Sequence, residues 1–178
     1  MKSISLTMLF FSFLFFFGCK KEENINDNTP KIAFELTVWN ATKRTASNPN
    51  AEVSPNASIY IFTTKEDADN NKPKYTGKTN SNGMFSISVP AQETYYLTAV
   101  NGNAKGTKNG FLINGIFKSQ EHISSTPRQT PAAQIGDLIF SDINGDGVVD
   151  NLDKINCRVY SGLRTSTTII KSDIYIAE

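Results

Sequence analysis

Apolar and polar residues alternate with period two over much of residues 31–118. Ile32, Phe34, Leu36 and Val38 alternate with Ala33, Glu35, Thr37 and Trp39, the pattern of a half-buried strand. Ala57, Ile59, Ile61 and Thr63 alternate with Ser58, Tyr60 and Phe62, so the second strand is apolar on both faces and is expected to be central. Further short strands are predicted over 75–79, 85–89, 95–100 and 111–117. Asn80-Ser81-Asn82-Gly83, Pro90-Ala91-Gln92-Glu93 and Asn101-Gly102-Asn103 punctuate them as turns. The polar stretches 41–56 and 64–74 read as loops, the second with room for one helical turn. No segment here has a long helical period. Short strands at near-regular spacing predict a mainly-β, antiparallel sandwich.

Both ends follow other patterns. Residues 119–134 are rich in Ser, Thr, Gln and Pro and read as a linker. In 135–178, Gly136 to Phe140 reads as extended. The residues after 150 fit a helix (Leu152, Ile155, Val159, Leu163) or a strand (Ile155, Cys157, Val159) equally well. Ile174 and Ile176 mark a last strand, with the option of returning to the sandwich. At the other end, Lys2 precedes an apolar run from Ile4 to Phe17. A bilayer-spanning helix needs roughly 20 apolar residues, so this run has the length of a secretion signal instead.

Composition changes the picture once residues 1–18 are set apart. The chain has 178 residues, 12 Phe and a net charge of +1. Half of the Phe and one charge, Lys2, lie in the leader. What remains is formally neutral, which argues against nucleic acid as a partner, since phosphate binding wants a basic excess. Its length suits one domain, or one domain with a small appendage. The six remaining Phe (Phe34, Phe62, Phe85, Phe111, Phe117, Phe140) fall about one per predicted strand.

The leader ends in Phe16-Phe17-Gly18-Cys19-Lys20-Lys21-Glu22-Glu23. A small residue directly before a cysteine, at the end of such a run, resembles the lipobox of bacterial lipoproteins, in a variant of the Bacteroidetes type with Phe where a smaller residue is usual. The resemblance implies a signal peptide over 1–18, lipidation of Cys19 and a membrane partner reached through that lipid. The charged run after Cys19 is similar to the signal that sends such lipoproteins to the outer face of the outer membrane. More than one acyl chain is needed for stable anchoring, which a triacylated cysteine supplies. Residues 19–30 then form a flexible tether with a reach of roughly 17–20 Å. With Cys19 lipidated, Cys157 has no disulfide partner; a Cys19–Cys157 disulfide is the alternative.

Within 31–118, Ala57 to Phe62, Thr79-Asn80-Ser81-Asn82-Gly83-Met84-Phe85 and Thr94 to Ala99 resemble the carboxypeptidase-regulatory or Cna-B type domain. That family implies a transthyretin-like sandwich that serves as a stalk or binding module, not an enzyme. Some of its members carry isopeptide crosslinks; none is assigned here.

The strongest chemical signal is Asp142-Ile143-Asn144-Gly145-Asp146-Gly147-Val148-Val149-Asp150-Asn151-Leu152-Asp153. Counted from Asp142, oxygen-bearing side chains fall at positions 1, 3, 5, 9 and 12, with Gly at 6 and an aliphatic at 8. Ca²⁺ takes 6–8 oxygens. Asp142, Asn144 and Asp146 are the candidate side-chain ligands, Val148 offers its carbonyl, Asp150 acts through water and Asp153 closes the set. Four Asp so close together would repel one another without a counter-charge. The pattern departs from the EF-hand, which has Glu at position 12, and resembles the dockerin loop, where Asp is usual. A dockerin has two such loops and this chain has one, so dockerin-like protein association is an alternative rather than the expectation.

Other chemistry is thinly represented. His122 is the sole histidine, so neither a Ser-His-Asp triad nor a histidine zinc site is expected. Trp39, Tyr60, Tyr95 and Tyr96 could stack on sugar, but such residues more often line a core or a sheet face. The sequence therefore predicts a non-catalytic binding or scaffolding module at the cell surface, stabilised by one Ca²⁺, with a glycan or a protein as ligand. The alternative is a carbohydrate-binding accessory of a glycan-uptake system.

Overall fold

The structure is a computed structural model, and it describes residues 30–129, 132–163 and 168–178. Residues 1–29, with the expected signal peptide and Cys19, lie outside the described residues.

Two sheets pack face to face. The first is built on β1 (Lys31–Asn40), with β2 (Glu52–Val53) against its C-terminal end. The second starts from β3 (Ser58–Phe62), followed by a short helix α1 (Lys65–Asp69) and β4 (Tyr75–Lys78). The chain then returns to the first sheet as β5 (Met84–Pro90) and to the second as β6 (Thr94–Asn101). Short pieces β7 (Ala104–Lys105) and β8 (Thr107–Lys108) lead to β9 (Phe111–Ile116). A second short helix α2 (Gln120–Ser125) lies within the 119–134 stretch, before β10 (Leu138–Phe140). After a 3₁₀ turn (Asn151–Asp153), β11 (Arg158–Ser161) joins the second sheet and β12 (Thr168–Ile176) joins the first.

The second sheet has the order β11-β6-β3-β4, so β3, apolar on both faces, is interior as expected. A small third sheet, β10-β9-β8, sits beside the sandwich. The strand pairs are antiparallel except for β1 and β12, which run parallel with Ile32 opposite Thr168 and Asn40 opposite Ile176. A parallel pair requires a crossover connection rather than a hairpin, and residues 41–167 supply it.

Alternation decides what faces inward. Ile32, Phe34, Leu36 and Val38 of β1 and Ile174 and Ile176 of β12 meet Ile59, Ile61, Tyr95, Leu97 and Ala99 of the second sheet. Each large aliphatic or aromatic side chain taken fully from water contributes about 1.5–3 kcal/mol. The six Phe are less evenly used than their spacing implied. Phe34 lies in this inter-sheet core and Phe85 packs against it. Phe62 belongs to a satellite cluster with Ala68 and Cys157. Phe111 and Phe140 face each other at 5.8 Å in the third sheet, and Phe117 lies just past β9.

The Thr79–Phe85 motif carries the chain from one sheet to the other, where a hairpin would have kept it in the same one. The buried Thr79 hydroxyl donates to the Ser54 carbonyl (2.6 Å) and accepts from the Ala57 N–H (2.9 Å). Asn80 Oδ1 accepts from the N–H groups of Asn82 and Met84. Gly83 has φ +69°, and a Cβ there would fall 3.0 Å from the Val38 carbonyl oxygen. That carbonyl oxygen is one of two backbone groups of Val38 held here, because Val38 N–H donates to Gly83 and Ser54 N–H donates to Val38.

Candidate metal centre

The 142–153 loop is rooted at both ends on the start of β9 and the residue just before it. On the approach, Ser141 N–H donates to Leu112 (3.0 Å); on the exit, Ile155 N–H donates to Gly110 (2.9 Å). Its far side is strapped by the segment after α2. Arg128 N–H donates to Gly147, Val149 N–H donates to Arg128, and the Gln129 amide closes on both backbone groups of Phe140.

Within the loop, the acidic side chains turn back on the loop's own backbone. Asp142 Oδ1 accepts from Gly145 N–H (2.7 Å) and Oδ2 from Gly147 N–H (2.8 Å). Asn144 Oδ1 accepts from Asp146 N–H, and Asp146 Oδ1 accepts from Val148 N–H. Asp146 Oδ2 takes a hydrogen bond from the Asn144 amide. Gly145 and Gly147 adopt positive φ, 74° and 85°, which bends the chain around these oxygens. The mutual repulsion of four Asp is thus offset in part by backbone dipoles, a compensation that spacing alone did not reveal.

Asp153 is the most committed of the set. It is fully buried. Its Oδ1 accepts from Ile143 N–H (2.7 Å) and Asn144 N–H (3.1 Å), and its Oδ2 from Asp150 N–H (2.8 Å). The Asp150 N–H holds its carboxyl below the usual range, helped by Asn144 and Ile143 and opposed by burial. Asp150 accepts from Leu152 N–H, so Asp150 and Asp153 form a reciprocal capping box on the 3₁₀ turn. The acid-x-x-acid spacing was the available signal for that box. Val149 is half-buried, while Val148, Leu152 and Ile143 are exposed.

Among the described residues, no three His, Cys, Asp or Glu side chains converge as a metal cluster. The donor chemistry nonetheless fits a hard cation. A carboxylate oxygen has about two lone-pair sites. Each oxygen of Asp142 and Asp146 has one N–H partner and so keeps one site open. Asp153 Oδ1 is saturated and Oδ2 keeps one site, so Asp153 can offer a single oxygen rather than a bidentate pair.

The other singled-out residues are scattered. Tyr95 is in the core, edge-on to Phe34 at 5.6 Å, with its hydroxyl donating to the Pro90 carbonyl. Burial pushes its phenol up to about 12. It is not available to stack on a ligand. Tyr60 and Tyr96 are partly buried against Phe62 and Cys157. Cys157 is buried, and burial pushes its thiol up to about 11. His122 is exposed on α2, edge-on to Phe117 at 5.9 Å. Among the described residues no helix is long and apolar enough to cross a membrane.

No family model matches the chain, and no curated protein matches it. Among solved structures it is similar to the TIE protein of Bacillus anthracis, at 15% identity and TM-score 0.39, over 84% of this chain and 18% of that one. It is also similar to catechol 1,2-dioxygenase from Acinetobacter sp. ADP1 inhibited by bound mercury, at 8% identity and TM-score 0.37, over 88% of this chain and 55% of that one. The chain therefore spans under a fifth of the first protein and just over half of the second. At these TM-scores neither likeness carries an argument. The mainly-β, sandwich-type fold rests on the chain's own strand pairing.

Proposed function

We propose that this chain is a non-catalytic binding or scaffolding module of a bacterial cell surface, anchored through lipid on Cys19 and stabilised by one Ca²⁺. The observation that supports it most is the 142–153 loop, with oxygen donors on Asp142, Asn144 and Asp146 around two positive-φ glycines and a stem fixed at both ends. In this reading those three side chains, the Val148 carbonyl, Asp150 through water and one oxygen of Asp153 hold the ion. The ion supplies positive charge to a loop of acids and so stabilises the folded form. The sandwich is assigned to the carboxypeptidase-regulatory or Cna-B type, on the strength of the Thr79–Phe85 turn. The stalk-like role of that type agrees with a tethered module.

Calorimetric titration of the chelator-treated protein with Ca²⁺ tests the proposal. Binding is expected in the wild type and lost in Asp142→Ala and Asp146→Ala. Tm is expected to rise, since free Ca²⁺ at about 100 times Kd adds about 2.7 kcal/mol. No heat and no rise in Tm up to about 10 mM, beyond the weakest extracellular sites, would retire it. The anchor has its own test. Cys19→Ser is expected to abolish labelling by a fatty-acid probe and to move the protein out of the membrane fraction. Labelling that survives the substitution rules out Cys19 as the anchor.

A further inference from the structure

The first sheet ends on β12. Among the described residues β12 pairs with β1 and with no other strand. Its last residues show which of its backbone groups face outward. Ala41 N–H donates to the Ile176 carbonyl on the β1 side, whereas Ala177 exchanges both backbone hydrogen bonds with Lys105 on the opposite side. Successive residues of a strand turn their N–H and C=O groups to opposite sides, and the register with β1 is unbroken. The backbone groups of Ile169, Lys171, Asp173 and Tyr175 therefore point away from β1 along an open edge, which the Lys105 bridge closes at Ala177. The side chains of Lys171, Asp173 and Tyr175 lie on the face of the sheet turned away from the inter-sheet core, beside Glu35, Thr37 and Trp39 of β1. Lys171 and Asp173 are exposed, and Lys171 pairs with Glu35 at 3.1 Å. The other outer strands are poorer templates for pairing. β4 and β11 have four residues each, and β5 ends in Pro90. β12 has nine residues with no Pro or Gly, so charge is the one usual guard of a free edge that it carries.

We infer that β12 is a dimerisation edge: a second copy of this chain pairs with it antiparallel about a two-fold axis through Ser172, joining the two first sheets into one. Two observations select a second copy in that register. The first is charge. A two-fold axis pairs each residue with one equally far beyond the axis, and directly opposed residues share a face of the sheet, so the axis falls on a residue. Centred on Ser172, it sets Lys171 opposite Asp173 of the second copy and Asp173 opposite Lys171 of that copy. Centred one residue earlier, it sets Lys171 against Lys171; one residue later, it sets Asp173 against Asp173. Like charges directly opposite are destabilising. The second observation is length. β12 runs from Thr168 to Ile176, so Ser172 is its midpoint, and the register that matches the charges also pairs the strand from end to end. The incoming strand begins opposite Ile176 and leaves the Lys105–Ala177 bridge intact. The open backbone groups of Ile169, Lys171, Asp173 and Tyr175 are then all paired, and Ile169, 55% exposed, is set opposite Tyr175 of the second copy. An unrelated peptide meets the same open backbone, but it has to bring an acid and a base at matching positions. A second copy carries them by symmetry.

The inference goes beyond the binding-module reading and draws on neither the calcium loop nor the lipid anchor. Its test is sedimentation of the purified protein at concentrations up to about 1 mM. A contact through one strand lies at the small end of stable interfaces, so a dimer with a Kd of about 10–100 µM is expected. Lys171→Asp and Asp173→Lys each set like charges opposite one another, and each should weaken self-association about tenfold or more. Mixed in equal amounts, the two variants present acid to base at both positions. The mixture should dimerise as the wild type does, which also shows that both variants fold. Ser172→Cys should form a disulfide-linked dimer under mild oxidation, above the wild-type level. The two copies of residue 172 meet as a pair without mutual hydrogen bonds, with Cα atoms roughly 4.5 Å apart, within disulfide reach. Lys171→Cys should not, because its own copy is displaced along the strand to beyond roughly 7 Å. A protein that stays monomeric throughout overturns the inference, even where it binds an extended peptide. So does a dimer that neither charge variant weakens, a mixture that associates no better than its parts, or a disulfide that forms at residue 171 and not at 172.

Discussion

Small polar residues decide several local outcomes in this chain. Thr79 is one. Its hydroxyl is buried and serves two backbone groups, on Ser54 and Ala57, that have to be satisfied where the chain leaves the second sheet. Thr79→Val keeps the shape and leaves both groups without that partner, at a cost of about 1–3 kcal/mol. Thermal unfolding should show a clear loss for Val and a much smaller one for Ser, which keeps the hydroxyl. A Val variant with wild-type Tm would mean that the hydroxyl is dispensable. The importance of Thr79 was legible as part of a turn motif, but its two partners were not. Ser54 and Ala57 lie more than twenty residues away, and only the folded chain brings them into reach. Asp153 is a similar case. Its place at position 12 of the loop was plain from spacing; its burial and its three N–H partners were not, because spacing does not say which way a carboxylate turns.

At the level of strands, the hydrophobic pattern located nearly every long element. It could not assign strands to sheets. A turn such as Asn80–Gly83 looks the same whether the next strand lies alongside or crosses to the opposite layer, and here it crosses. The same holds for β12. Period two showed which residues share a face, but pairing with β1, and the parallel direction, depend on a strand far away in sequence. The register makes a sharp prediction. Ile176 is fully buried and Ile169 is 55% exposed. Ile176→Ala should cost about 2–5 kcal/mol, whereas Ile169→Ala should stay within about 0.5 kcal/mol of wild type. Urea unfolding of both variants checks this. Equal losses, or the reverse order, would indicate a strand slipped by one residue, since such a slip exchanges the two faces.

For the whole molecule, acid is the informative perturbation. The Asp153 carboxyl is depressed below its ordinary value of 3.8. A depressed carboxyl contributes stability that is complete above the unfolded value and is lost as pH falls through the folded one. Tm should therefore hold between about pH 7 and 5 and drop below about pH 4. Asp153→Asn should lower Tm at neutral pH and flatten the acid limb; a variant with the wild-type acid slope would show that other carboxyls carry it. The sequence by itself determined what depends on neighbours along the chain: strand positions, the face each residue takes, the apolar run from Ile4 to Phe17 before Gly18-Cys19, and the acidic loop with its glycines. Periodicity and spacing are local properties, and local sterics and side-chain chemistry enforce them. Only the tertiary structure decided which strands share a sheet, that β12 runs parallel to β1, that Tyr95 is core while Trp39 and Tyr175 stand side by side on an outer face, and that Asp153 clasps its own loop. Each of these joins residues distant in sequence. They follow from burying one common core and satisfying its backbone polar groups, a condition that the whole chain meets together and no single segment encodes.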